Sequence, residues 1–103
     1  MLLVTKDTIS GKDYEELGFV QGNIVMTKPV GKLLVAGFKA MKGGEIPLFT
    51  ELINEGREIA KERLKEQAAA LNADAVVCVR MNSCSLMDGA TEVTLYGTAI
   101  KFK

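Results

Sequence analysis

The sequence predicts an α+β domain with the element order β-β-α-α-β-β, in which two helices pack on one antiparallel sheet. Three observations lead to this fold class. Apolar residues recur at helical spacing from Pro47 to Leu71. Small or apolar residues alternate with larger or polar ones from Glu92 to Phe102, which is typical of a strand. Proline and glycine mark the ends of the remaining segments.

The first half of the chain predicts two strands and a helix. Met1 to Thr5 is a short apolar run that favours an opening strand. Gly18 to Thr27 is rich in β-branched and apolar residues and predicts a second strand, whose glycines indicate a bulge or a close backbone approach. Pro29 suits the first turn of a helix, and Gly43-Gly44 suits its end, because glycine tolerates a left-handed cap.

The second half predicts one long helix and two strands. The helix spans Pro47 to Leu71, and Asn72 follows it where a left-handed cap is expected. Ala75 to Met81 is apolar on both faces, which indicates a covered central strand. The polar link from Asn82 to Ala90 predicts an exposed loop that leads into the antiparallel strand from Glu92 to Phe102.

Length and composition limit the function classes. A chain of 103 residues predicts a single domain, residues 1–103. Its 13 basic and 13 acidic residues cancel and form no basic stripe, which argues against binding to nucleic acid or a membrane surface. The N-terminal apolar run is too short for a signal peptide, and no window is long enough to span a membrane. We therefore expect a cytoplasmic protein with free thiols.

The chain contains no histidine. This absence excludes Ser-His-Asp and Cys-His catalysis and every metal site that needs histidine. No pair of carboxylates stands out for acid–base work, so we do not expect an enzyme.

Cys78 and Cys84 are the candidate metal ligands, because thiolates favour soft ions such as Cu(I) and Zn. Six extended residues span about 20 Å, well beyond the disulfide limit of about 7 Å. The two thiols could bind one ion only if the chain turned back between them. In a symmetric ring, thiolates from several subunits could cluster instead. The alternative is that Cys78 is a small buried hydrophobic residue and Cys84 a loop residue.

Four further residues are candidates for a ligand or interface site. Arg57 has acidic neighbours on its helix, so a surface ion pair is expected. Arg80 shares the predicted strand face of Cys78 and Val76 and should reach a rim or a subunit boundary, where its guanidinium could hold an anion. Tyr96 could line a pocket, although cross-strand packing also explains it. Glu45 lies in the turn between the two predicted helices.

The length of the second helix suggests assembly. Twenty-four residues form a helix of about 36 Å, whereas a compact domain of this size is only about 33 Å across. Four short strands would cover its apolar side poorly, and zero net charge removes one barrier to association. We expect a homo-oligomer; a monomer with a slightly overhanging helix is the alternative.

Five motifs, in order and over nearly the whole chain, resemble those of the YbjQ family of small bacterial and archaeal proteins. The corresponding segments are Leu17–Gly22, Gly43–Glu45, Gly56–Ala60, Asn72–Arg80 and Glu92–Ile100. The chain departs from the family pattern where Gly56 replaces an alanine, Asn72 a glycine and Asp74 an asparagine.

The resemblance implies a ring-forming homo-oligomer, a pentamer, in which the chain's partner is a copy of itself. It also implies a non-enzymatic protein that binds a soft heavy-metal ion. The alternative function is a structural or small-molecule-binding assembly, with ligand clefts between subunits and no metal.

Overall fold

A computed structural model describes residues 1–27, 47–87 and 89–103, without the side chains of residues 47–49. These residues form an α+β fold with a four-stranded sheet and one helix. The elements are β1 (Leu2–Leu3), β2 (Tyr14–Thr27), α1 (Pro47–Ala70), β3 (Ala75–Met87) and β4 (Ala90–Phe102). The helix predicted after Pro29 lies outside the described residues, as does Glu45.

The sheet has the strand order β1-β3-β4-β2 and is mixed. β4 is antiparallel to both of its neighbours, whereas β1 is parallel to β3. The prediction of a wholly antiparallel sheet is therefore wrong at this edge. No hairpin joins β1 to β3, so a local turn does not set their relative direction. The segment after β1 instead leads to β2 at the opposite edge.

The segment from Asn82 to Ala90, which the sequence predicted as an exposed loop, is mostly strand. β3 continues to Met87, with Asn82 paired to Thr94 and Cys84 to Glu92. The tight connection to β4 includes Gly89 at a φ of 80°. Every residue from Arg80 to Met87 is exposed. This part of β3 is polar because solvent surrounds it. An exposed strand and a loop favour the same polar residues, so the sequence did not distinguish them.

α1 lies on one face of the sheet, over β2 and β4. Its closest approach is at Gly22, where a Cβ would collide with the helix backbone at Ala60, Arg63 and Leu64. Side chains from both layers form the main core here: Val20, Ala60, Leu64, Ala68, Val76, Val93, Leu95 and Ala99. The predicted close approach at a β2 glycine is thus confirmed, and the absent side chain lets the two backbones meet.

Polar contacts fix the same docking position. Arg63 Nη1 donates a hydrogen bond to the carbonyl of Asn23 at 2.7 Å. The Gln21 N–H donates to Gln67 Oε1 at 2.9 Å. Asn72 ends the helix with a φ of 61°, as its position predicted.

Bulges interrupt the described strands at three places, of which the last leaves Leu86 as the extra residue between Ser85 and Met87 of β3. Leu17 is the extra residue in β2, next to Gly18 at a φ of 137°, a value that strongly favours glycine. In β3, Cys78 and Val79 together oppose Gly97 of β4. Cys78 adopts a φ of 56°, which is uncommon for a residue with a side chain.

The β3 bulge is held by the segment that follows β1. The N–H groups of Cys78 and Val79 donate to the carbonyls of Lys6 and Val4, each at 2.9 Å. Gly97 leaves room for the bulge, since a Cβ there would lie 2.8 Å from the Val77 carbonyl oxygen. The extra residue changes the alternation of β3, so side chains before and after it fall on unexpected faces.

The fold is elongated. Its principal dimensions are 53 × 25 × 17 Å and its radius of gyration is 16.9 Å, compared with about 13 Å for a compact domain of this size. β3 and β4 each contain 13 residues, which corresponds to about 44 Å. The strands are therefore longer than α1 and are not the short strands that the sequence suggested. It is the sheet that projects beyond the helix.

Among the described residues, no helix combines the length and the apolar composition needed to span a bilayer.

Replacing Gly22 by alanine should lower the free energy of unfolding by about 2–3 kcal/mol, because the new methyl group meets helix backbone that cannot move aside. Gly56→Ala is the matched control. There the methyl group meets only the flexible end of Met26, and alanine favours a helix by about 1 kcal/mol. Urea denaturation monitored by circular dichroism measures both changes. Equal losses for the two variants would contradict the proposed backbone contact.

Candidate functional site

The structure places both cysteines on the sheet face opposite α1, which we call the open face. Cys78 packs against the cluster formed by Ala75, Val77 and Ile100. Cys84 pairs with Glu92. Glu92 precedes Val93 of the helix-side core, so the pair lies on the opposite face. Both thiols are free, and Cys84 is exposed.

The two cysteines do not meet within one chain. β3 passes through both positions without turning back, so they are about 20 Å apart. Among the described residues, no group of three or more histidine, cysteine, aspartate or glutamate side chains is placed to hold a metal ion. The described part of one chain therefore lacks the donor set of a structural metal site. The expectation that Cys84 is a loop residue is wrong, because it lies within β3.

Two of the predicted ligand residues do come together. Arg57 of α1 and Arg80 of β3 line one cleft between the helix and the edge of the sheet, and we call it the arginine cleft. Its volume is about 310 Å³. Lys61 adds a third cation, and Glu58 is the acidic side chain of the lining. Cations thus outnumber carboxylates in this cleft, although the whole chain has zero net charge.

Arg80 is held in place by main-chain acceptors. Its Nη1 donates to the carbonyl of Thr5 at 2.7 Å and to that of Val79 at 3.0 Å. These contacts engage one nitrogen of the guanidinium. The Nε and Nη2 groups form the other edge of the fork, whose geometry matches a carboxylate or a phosphate.

Arg57 does not form the ion pair that its acidic neighbours suggested. Its Nη1 donates to Asn54 Oδ1 at 3.3 Å. The ion pairs along α1 instead join Lys61 to Glu58 at 3.1 Å and Lys65 to Glu62 at 3.3 Å. In the described part of the chain, neither Arg57 nor Arg80 has a carboxylate partner. Both guanidinium charges in the cleft are therefore uncompensated by a direct ion pair.

The floor of the arginine cleft is apolar. It consists of Val79 and Met81 from β3 and Leu95 from β4. Leu95 is buried, while half of Met81 is exposed. Chemically, the cleft offers an apolar surface beneath two arginines and a lysine, and it has no nucleophile–base pair.

The remaining predicted site residues lie elsewhere. Tyr96 is on the open face, with its ring 6.4 Å from that of Phe19, so cross-strand packing accounts for it. The prediction that Arg80 shares a face with Cys78 and Val76 is wrong for Val76, whereas Cys78 lies on the open face with Tyr96, the partner of Arg80. Val76 packs in the helix-side core, whereas Arg80 pairs with Tyr96 beyond the bulge.

Sequence reasoning missed Lys61. Its position four residues after Arg57 places the two side chains on one side of the helix, so the helical spacing could have identified it. The β3 bulge places Arg80 in register with Tyr96 of the open face, and its side chain reaches the cleft at the edge of the sheet, where it bonds to the Thr5 carbonyl. The sequence carries no local signal for this bulge except Gly97.

Large apolar side chains also remain exposed. Phe19, Val25 and Tyr96 lie on the open face. Met81, Leu86 and Met87 lie on the outer half of β3. We call Met81–Met87 together with Ala90–Leu95 the distal hairpin. Because water contacts these groups in an isolated chain, they are candidates for a protein interface.

The described residues define an α+β domain with a helix on one sheet face, a cationic cleft and no recognisable catalytic pair. The chain belongs to the YbjQ family. The family model described as "Putative heavy-metal-binding" matches residues 1–103. The resemblance noted from the sequence motifs is thereby confirmed.

Relatives of similar length support this assignment. A UPF0145 protein of Clostridium novyi (strain NT) is 46% identical over 101 residues, which cover 98% of each chain. A UPF0145 protein of Thermosipho africanus (strain TCF52B) is 47% identical over 104 residues, covering 100% of this chain and 96% of the relative. Neither name states an enzymatic activity.

The fold is also similar to that of a solved structure. A crystal structure of a protein with unknown function from Pediococcus pentosaceus ATCC 25745, of the DUF74 family, matches with a TM-score of 0.69. The alignment covers 100% of this chain and 98% of that one, at 20% sequence identity. This likeness supports the fold alone.

Mild oxidation should form no disulfide between Cys78 and Cys84 of the same chain, because β3 holds them too far apart. Peptide mapping by mass spectrometry under non-reducing conditions, at low protein concentration, tests this expectation. A Cys78–Cys84 peptide from monomeric chains would show that β3 unpairs between the two residues.

Proposed function

We propose that this chain is the subunit of a non-enzymatic homo-oligomer, a pentamer by its family resemblance. The observation that carries the proposal is the exposure of large apolar side chains on the distal hairpin. Met81, Leu86 and Met87 are 50%, 49% and 69% exposed, respectively. Leu86 and Met87 are neighbours in the chain and both are exposed, as apolar residues at a protein interface are in an isolated chain.

The strand edge at the same place supports this proposal. In the described residues, β1 pairs with β3 only at Ala75 and Val76, so the outer half of β3 is an edge with no strand beside it. Long, partly apolar edge strands readily pair with other chains. A neighbouring copy would cover this edge and the exposed side chains together.

A second copy of this chain is the partner that these observations favour. The net charge is zero, so copies do not repel one another through their overall charge. The absence of a nucleophile–base pair in the described residues gives no support to an enzymatic role, and the relatives' names offer none.

Leu86→Glu should shift the protein from oligomers towards monomers, because it places a charge in the proposed interface. Leu71→Glu is the matched control, since Leu71 is 42% exposed but lies at the end of α1. Native mass spectrometry measures the subunit number of each variant and of the wild type. A monomeric wild type, or unchanged assembly in Leu86→Glu, would contradict an interface at the distal hairpin.

Soft-metal binding is the second candidate function, and the exposed thiol of Cys84 favours it. Cys84 is only two residues from Leu86, and equivalent Cys84 side chains of a ring would meet where this end of β3 lies beside the symmetry axis. One subunit offers no complete donor set in its described residues. A soft-metal site therefore requires thiolates from several copies.

If this metal site exists, Cys84→Ser should abolish Cd²⁺ binding and Cys78→Ser should preserve it. The reason is that the two cysteines are too far apart to share an ion in one subunit, and Cys84 is the one beside the proposed interface. Ultraviolet absorption from thiolate-to-cadmium charge transfer and the native mass of the oligomer report the binding. Retention of Cd²⁺ in Cys84→Ser would exclude this residue as the ligand.

A further inference from the structure

We infer that the arginine cleft binds a small organic anion, with its carboxylate or phosphate group between Arg57 and Arg80 and its apolar part on the cleft floor. This site lies within one chain. It goes beyond the proposed oligomer, and of the distal hairpin it uses only Met81 and Leu95 at the base.

The first support is the convergence of charge. The two arginines come from positions 57 and 80, on different elements, and both line the same cleft with Lys61. Bringing like charges close together raises the electrostatic energy of the fold. In a neutral chain, and with no carboxylate partner for either arginine among the described residues, an anion from solution would compensate them.

The second support is the orientation of Arg80. Hydrogen bonds to the carbonyls of Thr5 and Val79 restrain its guanidinium through a single nitrogen, Nη1. A restrained fork loses less conformational entropy when it binds a ligand. The Nε and Nη2 donors match the spacing of two carboxylate or phosphate oxygens.

The third support is the character and size of the cleft. An inorganic ion would need only the cationic rim. The floor of Val79, Met81 and Leu95 adds an apolar surface, and the volume of about 310 Å³ exceeds what a bare ion occupies. The volume lies at the lower end of the range for small-molecule pockets, about 300–1,000 Å³. The chemistry therefore fits an anion with an apolar body.

Isothermal titration calorimetry of the wild-type protein tests this site with four probes: phenyl phosphate, benzoate, inorganic phosphate and benzyl alcohol. We expect phenyl phosphate or benzoate to bind more tightly than both inorganic phosphate and benzyl alcohol. Phenyl phosphate as the tighter ligand would assign the site to phosphate esters, and benzoate as the tighter ligand would assign it to carboxylates. Equal or absent binding of all four probes would overturn the inference.

Arg57→Gln and Arg80→Gln should each weaken binding of the tighter anion about tenfold, since each removes charge-assisted hydrogen bonds. Arg80→Lys keeps the charge but loses the fork, and it should also weaken binding. Lys65→Gln is the matched control, because Lys65 is a cation of the same helix that pairs with Glu62 and does not line the cleft. Its affinity should stay within about twofold of the wild type.

Native mass spectrometry and circular dichroism of every variant separate this inference from the proposed oligomer. If the Arg57→Gln and Arg80→Gln variants lose anion binding but keep their fold and subunit number, the result supports an anion site in the cleft. This conclusion holds for any subunit number. An equal loss in Lys65→Gln, or full binding in the Arg57→Gln and Arg80→Gln variants, would overturn it.

Discussion

The contact between α1 and β2 at Gly22 sets the position of the helix on the sheet. The two backbones meet there without a side chain between them, so the helix cannot move sideways without clashing or opening a void. Arg63 and Gln67 bond to the β2 backbone on either side of this point. The position of every other α1 residue follows from this contact, including Arg57 and Lys61 above the cleft.

The β3 bulge is the second constraint, and it depends on the N-terminal segment. Main-chain bonds from Cys78 and Val79 to Lys6 and Val4 replace the ladder bonds that the bulge disrupts. The bulge returns Val79 to the helix-side core and brings Arg80 within reach of the Thr5 carbonyl. Bulges commonly redirect side chains near functional sites. Because of this one extra residue, Val76 and Arg80 lie on opposite faces of the sheet.

The sequence predicted the elements whose burial alternates regularly. α1 and β4 were found because a helix or strand with one covered side leaves a periodic pattern. The outer half of β3 was missed because it is exposed throughout, so nothing distinguishes it from a loop. The parallel direction of β1 and the meeting of Arg57 with Arg80 depend on contacts between distant parts of the chain, which local patterns do not record. The family motifs predicted the family, but they specified neither the direction of β1 nor the shared cleft of Arg57 and Arg80.

The directions of the strands carry a consequence for symmetry. Because β4 is antiparallel to both β2 and β3, these two strands run the same way at different positions in the sheet. Two copies that join β3 to β3 about a twofold axis use one surface twice and stop at a dimer. Copies that join the β3 side of one subunit to a different surface of the next repeat the contact until a ring closes. An odd ring, such as five subunits, therefore requires each subunit to carry two different and complementary surfaces.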